Sequence, residues 1–216
     1  PYPASYASLE VAPRFRSRTS SSDPNAARGV YVARLPVTRG KRVLVALVRL
    51  DGRLVATTAV LATVGPPGGP PKIGEKAIRV HTPTAASVHG DLAKIDTRVP
   101  PDDMHSVDLA NVLGRKPVFL VFATPALCQS RTCGPIVDEA AQLQSELGNQ
   151  MAFIHMEVYR DNEFSKGYRP QLRAWHLQTE PWVFAIGRDG RVKARIDGAA
   201  SPAELRAAAL KALGAR

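Results

Sequence analysis

Apolar and polar positions divide the chain into two parts with different periodicities. The first part is a series of short β-rich runs, at 30–35, 42–50 and 54–64. Asp51 and Gly52 stand between two of these runs, and an Asp-Gly pair between apolar runs is a strong hairpin signal. We therefore predict an antiparallel β-domain over about residues 8–64, an immunoglobulin-like sandwich within an N-terminal domain at 1–64.

The segment 65–72 separates this β-rich part from the rest of the chain. Its first seven residues are four prolines and three glycines. Proline lacks a backbone N–H, so the segment cannot form a helix and would lack donors as a strand. We predict an interdomain linker here, followed by a second domain at 73–216.

Beyond the linker, strand-like and helix-like runs alternate. The predicted elements are a strand at 117–123, a helix to about 147, a strand at 151–158, a short helix at 170–175, strands at 182–186 and 192–196, and a helix at 202–213. Ser201 and Glu204 form a capping-box pattern at the start of the last helix. Two parallel strands, a hairpin and a covering helix allow few topologies, all of the α/β class.

Composition and net charge exclude some classes of function. Hydrophobic content of 44% and charged content of 22% are typical of a globular protein, and the apolar runs are too short for a transmembrane helix. The net charge of +10 is spread along the chain without a run of five basic residues, so we expect no nucleic-acid partner. A basic surface suits a place near an anionic cell envelope. Because the sequence begins at Pro1 and not at methionine, we expect that it has been processed.

The two cysteines of the chain, Cys128 and Cys133, lie between the strand at 117–123 and the following helix. A thiol at this point is near the positive end of the helix dipole, which favours the thiolate. Arg131 adds positive charge one turn on. We predict Cys128 as the nucleophile and Cys133 as the resolving thiol. No further Cys or His pair has the usual zinc spacing, so we expect no metal and no cofactor.

The spacing of the two cysteines constrains a disulfide between them. In an α-helix, residues five apart have Cα atoms about 8–9 Å apart, whereas a disulfide requires less than about 7 Å. Either Cys128 precedes the helix, or the first helical turn unwinds on oxidation. A static bridge in an oxidising compartment is the alternative.

Residues at about 73–214 resemble the thioredoxin-like superfamily, most closely extracytoplasmic thiol–disulfide proteins that carry an all-β module. The likeness rests on a cysteine after the first central strand, on Pro135 inside the following helix, and on the run 175–184. The resemblance implies that Pro181 is the cis-proline facing the active thiol. It also implies that Glu180 lies beside this thiol. We expect Trp182, which follows Pro181, to be a packing residue, with a part in a substrate groove as the alternative.

The motif also departs from that family. Thioredoxins have Cys-x-x-Cys, whereas the Cys-x4-Cys spacing here is similar to that of bacterioferritin-comigratory-type peroxiredoxins. One residue too many separates Thr124 from Cys128, and the peroxiredoxin arginine has no match. Thr124 is nevertheless a candidate hydrogen-bond donor to a thiolate or a bound peroxide. Copper-handling thioredoxin folds use Cys-x3-Cys with a later histidine.

We therefore predict an extracytoplasmic thiol–disulfide oxidoreductase, secreted or attached to the envelope, that acts on protein substrates or redox partners. A thiol peroxidase is the second hypothesis. The third is a non-catalytic binding or copper-handling protein with a structural disulfide.

Overall fold

The computed structural model describes residues 2–36, 40–64 and 68–214, so the start of the predicted linker, 65–67, lies outside the described residues. The strands are β1 (Ser5–Ser8), β2 (Gly29–Val32), β3 (Gly40–Leu50), β4 (Arg53–Val64), β5 (Val118–Phe122), β6 (Ala152–Met156), β7 (Trp182–Ile186) and β8 (Val192–Asp197). The α-helices are α1 (Arg18–Ser22), α2 (Leu109–Val112), α3 (Cys133–Leu147), α4 (Pro170–Ala174) and α5 (Pro202–Leu213). Within the described part of the chain, no helix is long and apolar enough to cross a lipid bilayer.

The main sheet has four strands in the order β6-β5-β7-β8. β5 and β6 are parallel and are joined through α3, while β7 is antiparallel to both β5 and β8. Helix α5 follows the β7–β8 hairpin and starts with the capping box that Ser201 and Glu204 predict. The order of strands and helices predicted from residue 117 onward is confirmed, and it is a thioredoxin-like arrangement.

The two faces of this sheet carry separate hydrophobic clusters, because side chains alternate along each strand. On one face, Phe119 and Val121 pack with residues of α3 and α5, and both cysteines belong to this cluster. On the other face, Leu120 and Phe122 pack with a second set of apolar side chains, which includes the two tryptophans. Strands β5, β6 and β7 are buried on both faces, which explains their largely apolar runs.

The N-terminal part contains two separate two-stranded sheets, β1-β2 and β3-β4. The hairpin predicted at Asp51-Gly52 is confirmed by the antiparallel pairing of β3 with β4. The immunoglobulin-like sandwich is not confirmed. In a sandwich one face of β3 would be covered by a second sheet, whereas Val43, Val45 and Leu47 are all more than half exposed.

The segment around α1 is attached to the thioredoxin-like part. Asp138 of α3 accepts hydrogen bonds from the backbone N–H of Ser17 at 3.1 Å and from Arg98 Nε at 2.9 Å. Arg98 Nη2 also donates to the carbonyl of Phe15 at 2.6 Å. The N-terminal residues therefore contact α3 directly, while the domain boundary at 65–72 stays a prediction.

Candidate active site

The two thiols lie on either side of the start of α3. Cys133 is the first residue of the helix, and Cys128 lies in the loop that connects β5 to it. The first of the two predicted arrangements is therefore the one observed, with Cys128 ahead of the helix. Both thiols are free in this structure.

The Cys128 sulfur is surrounded by hydrogen-bond donors. The backbone N–H of Cys133 donates to Cys128 Sγ at 3.3 Å, and Ser130 Oγ lies 3.2 Å from the same sulfur. The hydrogen bond from the Cys133 thiol has the largest effect on the pKa of Cys128, burial opposes it, and Ser130 and the helix N–H add to it. Together they lower the pKa of Cys128 to about 5, so that Cys128 is a thiolate at neutral pH.

The environment of Cys133 shifts the pKa of its thiol in the opposite direction. It is fully buried, and burial raises the pKa of its thiol far above the ordinary value. The hydrogen bond to Cys128 and the negative charges of Glu180 and Cys128 raise it further. The site therefore pairs one ionised sulfur with one protonated sulfur, which is the asymmetry that attack and resolution require.

Glu180 joins the two thiols to the rest of the site. Cys133 Sγ is 3.7 Å from Glu180 Oε2, so its one thiol proton can bond either to this oxygen or to Cys128 Sγ, and the Tyr159 hydroxyl donates to Glu180 Oε1 at 3.4 Å. Burial and the nearby charge of Cys128 raise the pKa of Glu180 to about 8. The peptide bond between Glu180 and Pro181 is cis. Glu180 is thus a carboxyl group that gains or loses a proton near neutral pH, in direct contact with the buried thiol.

Access to the sulfur atoms is restricted. Cys128 is 5% exposed, and Cys133 is not exposed at all. This exposure leaves little of the Cys128 side chain open to another molecule. Arg131 in the loop between β5 and α3 has a φ of 61°, in the left-handed region that is uncommon for arginine.

Two of the predicted supporting residues do not contact the thiols, and a third, Thr124, interacts with one of them only through its backbone. The Arg131 guanidinium donates to Asp23 at 2.9 Å and is half exposed. Trp182 stacks on Phe184 in the cluster on the opposite face of the sheet, as expected of a packing residue, and not beside the thiols. Thr124 is buried, and its backbone N–H acts to lower the pKa of Cys133, whereas within the described residues its hydroxyl makes no hydrogen bond to either sulfur.

Sequence reasoning missed Tyr159 and a buried polar cluster close to the site. The buried acid–histidine cluster consists of Asp96, Asp102, His105 and His155. His155 Nε2 is 3.1 Å from the carbonyl oxygen of Ala123, at the end of β5 where the thiol loop begins. Burial alone would lower the pKa of His155, but its carboxylate neighbours outweigh burial and raise the pKa to about 10. The sequence gives no spacing signal for this cluster, because His155 lies on β6, far along the chain from the other three residues.

Comparison with known proteins adds the following. No protein-family model and no curated protein matches the sequence. Among solved structures, one described as a DsbE thiol:disulfide interchange protein from Chlorobium tepidum is 20% identical, with a TM-score of 0.44, and the match covers 67% of this chain and 99% of that one. A thioredoxin-family thiol:disulfide interchange protein from Chlorobium tepidum TLS is 18% identical, with a TM-score of 0.39, over 65% and 100% of the two chains. The case for a function therefore rests on the geometry of the thiols.

Proposed function

We propose that the protein is a thiol–disulfide oxidoreductase in which Cys128 attacks and Cys133 resolves. One observation carries this proposal: Cys128 Sγ accepts a hydrogen bond from the first N–H of α3, while the neighbouring Cys133 thiol is buried and protonated. A pair of inert core thiols would both have raised pKa values, because burial disfavours the charged form.

In the first step, the Cys128 thiolate attacks one sulfur of a substrate disulfide. A Cys128–substrate disulfide forms, the substrate S–S bond breaks, and the second substrate sulfur leaves as a thiolate. This step removes the negative charge from Cys128. Because that charge is one of the causes of the raised pKa of Glu180, the pKa of Glu180 falls when the mixed disulfide forms.

In the second step, Glu180 acts on the resolving thiol. The carboxylate accepts the proton of Cys133 across the 3.7 Å contact, and the resulting thiolate attacks Cys128 Sγ. A Cys128–Cys133 disulfide forms, and the remaining substrate sulfur leaves as a thiolate. The two steps together reduce the substrate disulfide by two electrons and oxidise the cysteine pair, and the reverse sequence oxidises a substrate dithiol.

A protein thiol or disulfide is the proposed partner for each half of the cycle, because the reaction requires no cofactor beyond the two thiols. An extracytoplasmic location, secreted or at the envelope, belongs to the same proposal. Disulfide substrates persist in such oxidising compartments.

The reduction of insulin disulfides by dithiothreitol tests the proposal. The wild-type chain is expected to accelerate the reaction, and Cys128→Ser is expected to abolish the acceleration. Trp182→Phe is the matched control, since it changes a buried residue on the opposite face of the sheet and is expected to keep full activity. Wild-type activity equal to that of Cys128→Ser would refute the assignment. Rapid consumption of peroxide without insulin reduction would favour the peroxidase instead.

Metal handling by the same side chains is a second candidate. Cys128 Sγ, Cys133 Sγ and a Glu180 carboxylate oxygen all lie within 4.8 Å of one another. Two sulfur ligands suit a soft ion such as Cu(I). Tight binding of one Cu(I) by a chain that is inactive on insulin would favour this function over thiol–disulfide exchange.

A further inference from the structure

The buried acid–histidine cluster is a compact group of potential metal ligands away from the thiols. Its four side chains are all at least 94% buried, and one donor atom from each lies within 4.8 Å of the others. Asp96, Asp102 and His105 come from the segment before α2, and His155 comes from β6. The cluster therefore ties an irregular segment to the central sheet.

The contacts between the carboxylates and the imidazoles are close to the separation of ligand atoms around a four-coordinate ion. His105 Nε2 is 3.3 Å from Asp96 Oδ2 and 3.6 Å from Asp102 Oδ1. His155 Nδ1 is 2.8 Å from Asp102 Oδ2 and 3.8 Å from Asp96 Oδ1. In a tetrahedral zinc site with bonds of about 2.0–2.1 Å, neighbouring ligand atoms are about 3.3–3.4 Å apart. Each of these four contacts lies within about 0.6 Å of that separation. They use both oxygens of each carboxylate, and a set with one donor atom from each side chain lies within 4.8 Å.

Outer contacts fix the orientation of the potential ligands. His155 Nε2 faces the Ala123 carbonyl at 3.1 Å, which leaves Nδ1 directed at the carboxylates. A ligating histidine typically uses its second ring nitrogen in this way. The Asp96 carboxylate accepts backbone hydrogen bonds from Arg98 and Asp102, both at 2.7 Å. The orientation of the donor atoms is thus set by the backbone and by the sheet.

Hydrogen bonds within the protein do not satisfy every polar atom of the cluster. His105 is 3% exposed, its Nε2 has one long contact of 3.3 Å with Asp96, and its Nδ1 has no hydrogen-bond partner in the described part of the chain. Two buried carboxylates face the two imidazoles, while the nearby Arg98 guanidinium is bound to Asp138 instead. Buried carboxylates are normally paired with cations or coordinate metals. A single dication would neutralise both carboxylates and would replace the long contact of His105 Nε2 with a bond to the ion.

From this geometry we infer that the buried acid–histidine cluster is a structural site for one divalent transition-metal ion, with Zn²⁺ the best fit. Two nitrogen and two carboxylate donors in a tetrahedral arrangement suit Zn²⁺, whereas Ca²⁺ and Mg²⁺ require six or more oxygen ligands. All four positions are filled by side chains, which is typical of a structural and not a catalytic zinc site. The ion would hold the segment at 96–105 against β6, and through His155 it would fix the end of β5 where the thiol loop begins.

The test uses the full chain with Cys128→Ser and Cys133→Ser, because the thiols could bind metal themselves. After treatment with a chelator, Zn²⁺ is titrated calorimetrically, and Co²⁺ is added separately to record its absorption spectrum. In the same background, Asp102→Asn removes one ligand charge while keeping the shape of the side chain. Asp108→Asn is the matched control, since Asp108 pairs with the exposed His81 at 2.6 Å.

We expect one Zn²⁺ per chain, an increased Tm in its presence, and the intense visible bands of four-coordinate Co²⁺. Asp102→Asn is expected to weaken Zn²⁺ binding by more than about 100-fold, beyond the effect typical of outer-shell changes, and Asp108→Asn is expected to bind as the parent does. Absence of Zn²⁺ binding by the thiol-free chain would overturn the proposal. Six-coordinate Co²⁺, or undiminished binding in a folded Asp102→Asn chain, would overturn it equally. The Co²⁺ spectrum of the thiol-free chain decides the matter even if Asp102→Asn does not fold.

Discussion

Removal of the Cys133 thiol is expected to raise the pKa of Cys128. The thiol hydrogen bond from Cys133 is the largest cause of the lowered pKa, which is about 5. A hydrogen bond to a charged group contributes about 1.5–3 kcal/mol, and one pH unit corresponds to about 1.4 kcal/mol. Cys133→Ala should therefore raise the pKa of Cys128 by about one to two pH units, to between about 6 and 7.

The rate of iodoacetamide alkylation as a function of pH measures this pKa directly, because only the thiolate reacts. Mass spectrometry of the products identifies the modified cysteine. In the wild-type chain, Cys128 should react with a midpoint near 5, and the buried Cys133 should not react. Cys133→Ser is the matched control, since its hydroxyl can still donate to Cys128 and should keep the midpoint below that of Cys133→Ala.

Two results would refute this reasoning. One is the same midpoint in the wild-type chain and in Cys133→Ala, which would show that the Cys133 thiol does not stabilise the thiolate. The other is a wild-type midpoint above about 8, the range of an unperturbed thiol. In that case the N–H groups at the start of α3 would not lower the pKa of Cys128 at all.

Three further predictions concern buried charge and the thiol loop. Burial raises the pKa of the Glu139 carboxyl group to about 8, so the folded chain keeps the carboxyl proton to a higher pH than the unfolded chain, and the free energy of unfolding should fall from about pH 5 to 8. In urea unfolding, Glu139→Gln should show a fall that is smaller by at least about 1 kcal/mol. Glu146→Gln, which changes an exposed residue, should behave as the wild-type chain does. Arg98→Met leaves the buried carboxylate of Asp138 without its partner and should lower the free energy of unfolding by about 3–5 kcal/mol. Arg206→Met, which changes an exposed residue, should lower it by less than about 1 kcal/mol. Equal losses for the two variants in urea titrations would contradict this prediction. Arg131→Ala should change the alkylation midpoint of Cys128 by less than about 0.5 pH unit, because the Arg131 guanidinium is already paired with Asp23. A larger increase of the midpoint would show that Arg131 stabilises the thiolate.

The sequence was sufficient to predict the central sheet and the place of the thiols. The buried strands are continuous apolar runs, and the last helix carries its capping box at Ser201, so local pattern and tertiary structure agree. The position of Cys128 before the helix was one of two arrangements that its spacing from Cys133 allowed. Because these features depend on residues that are close together in the sequence, the sequence alone predicts them.

Features that depend on contacts between distant segments could not be read in the same way. The immunoglobulin-like prediction took β-rich runs as evidence for a sandwich, but alternating apolar positions do not specify which sheet covers them, and Val43 of β3 is exposed. Trp182 is adjacent to Pro181 in sequence, yet the period of the strand turns its side chain to the opposite face of the sheet. The contact between His155 and Asp102 joins residues that no motif connects.

The measurement that tests the central claim most directly is the trapping of a mixed disulfide. Each single-cysteine variant is incubated with a disulfide-containing peptide, and the products are analysed by mass spectrometry without reductant. Cys133→Ser, which retains the attacking thiolate and lacks the resolving thiol, should accumulate a peptide adduct on Cys128, whereas Cys128→Ser should form almost none. Adduct formation by Cys128→Ser alone would contradict the assigned roles, and its absence from both variants would contradict thiol–disulfide exchange at this site.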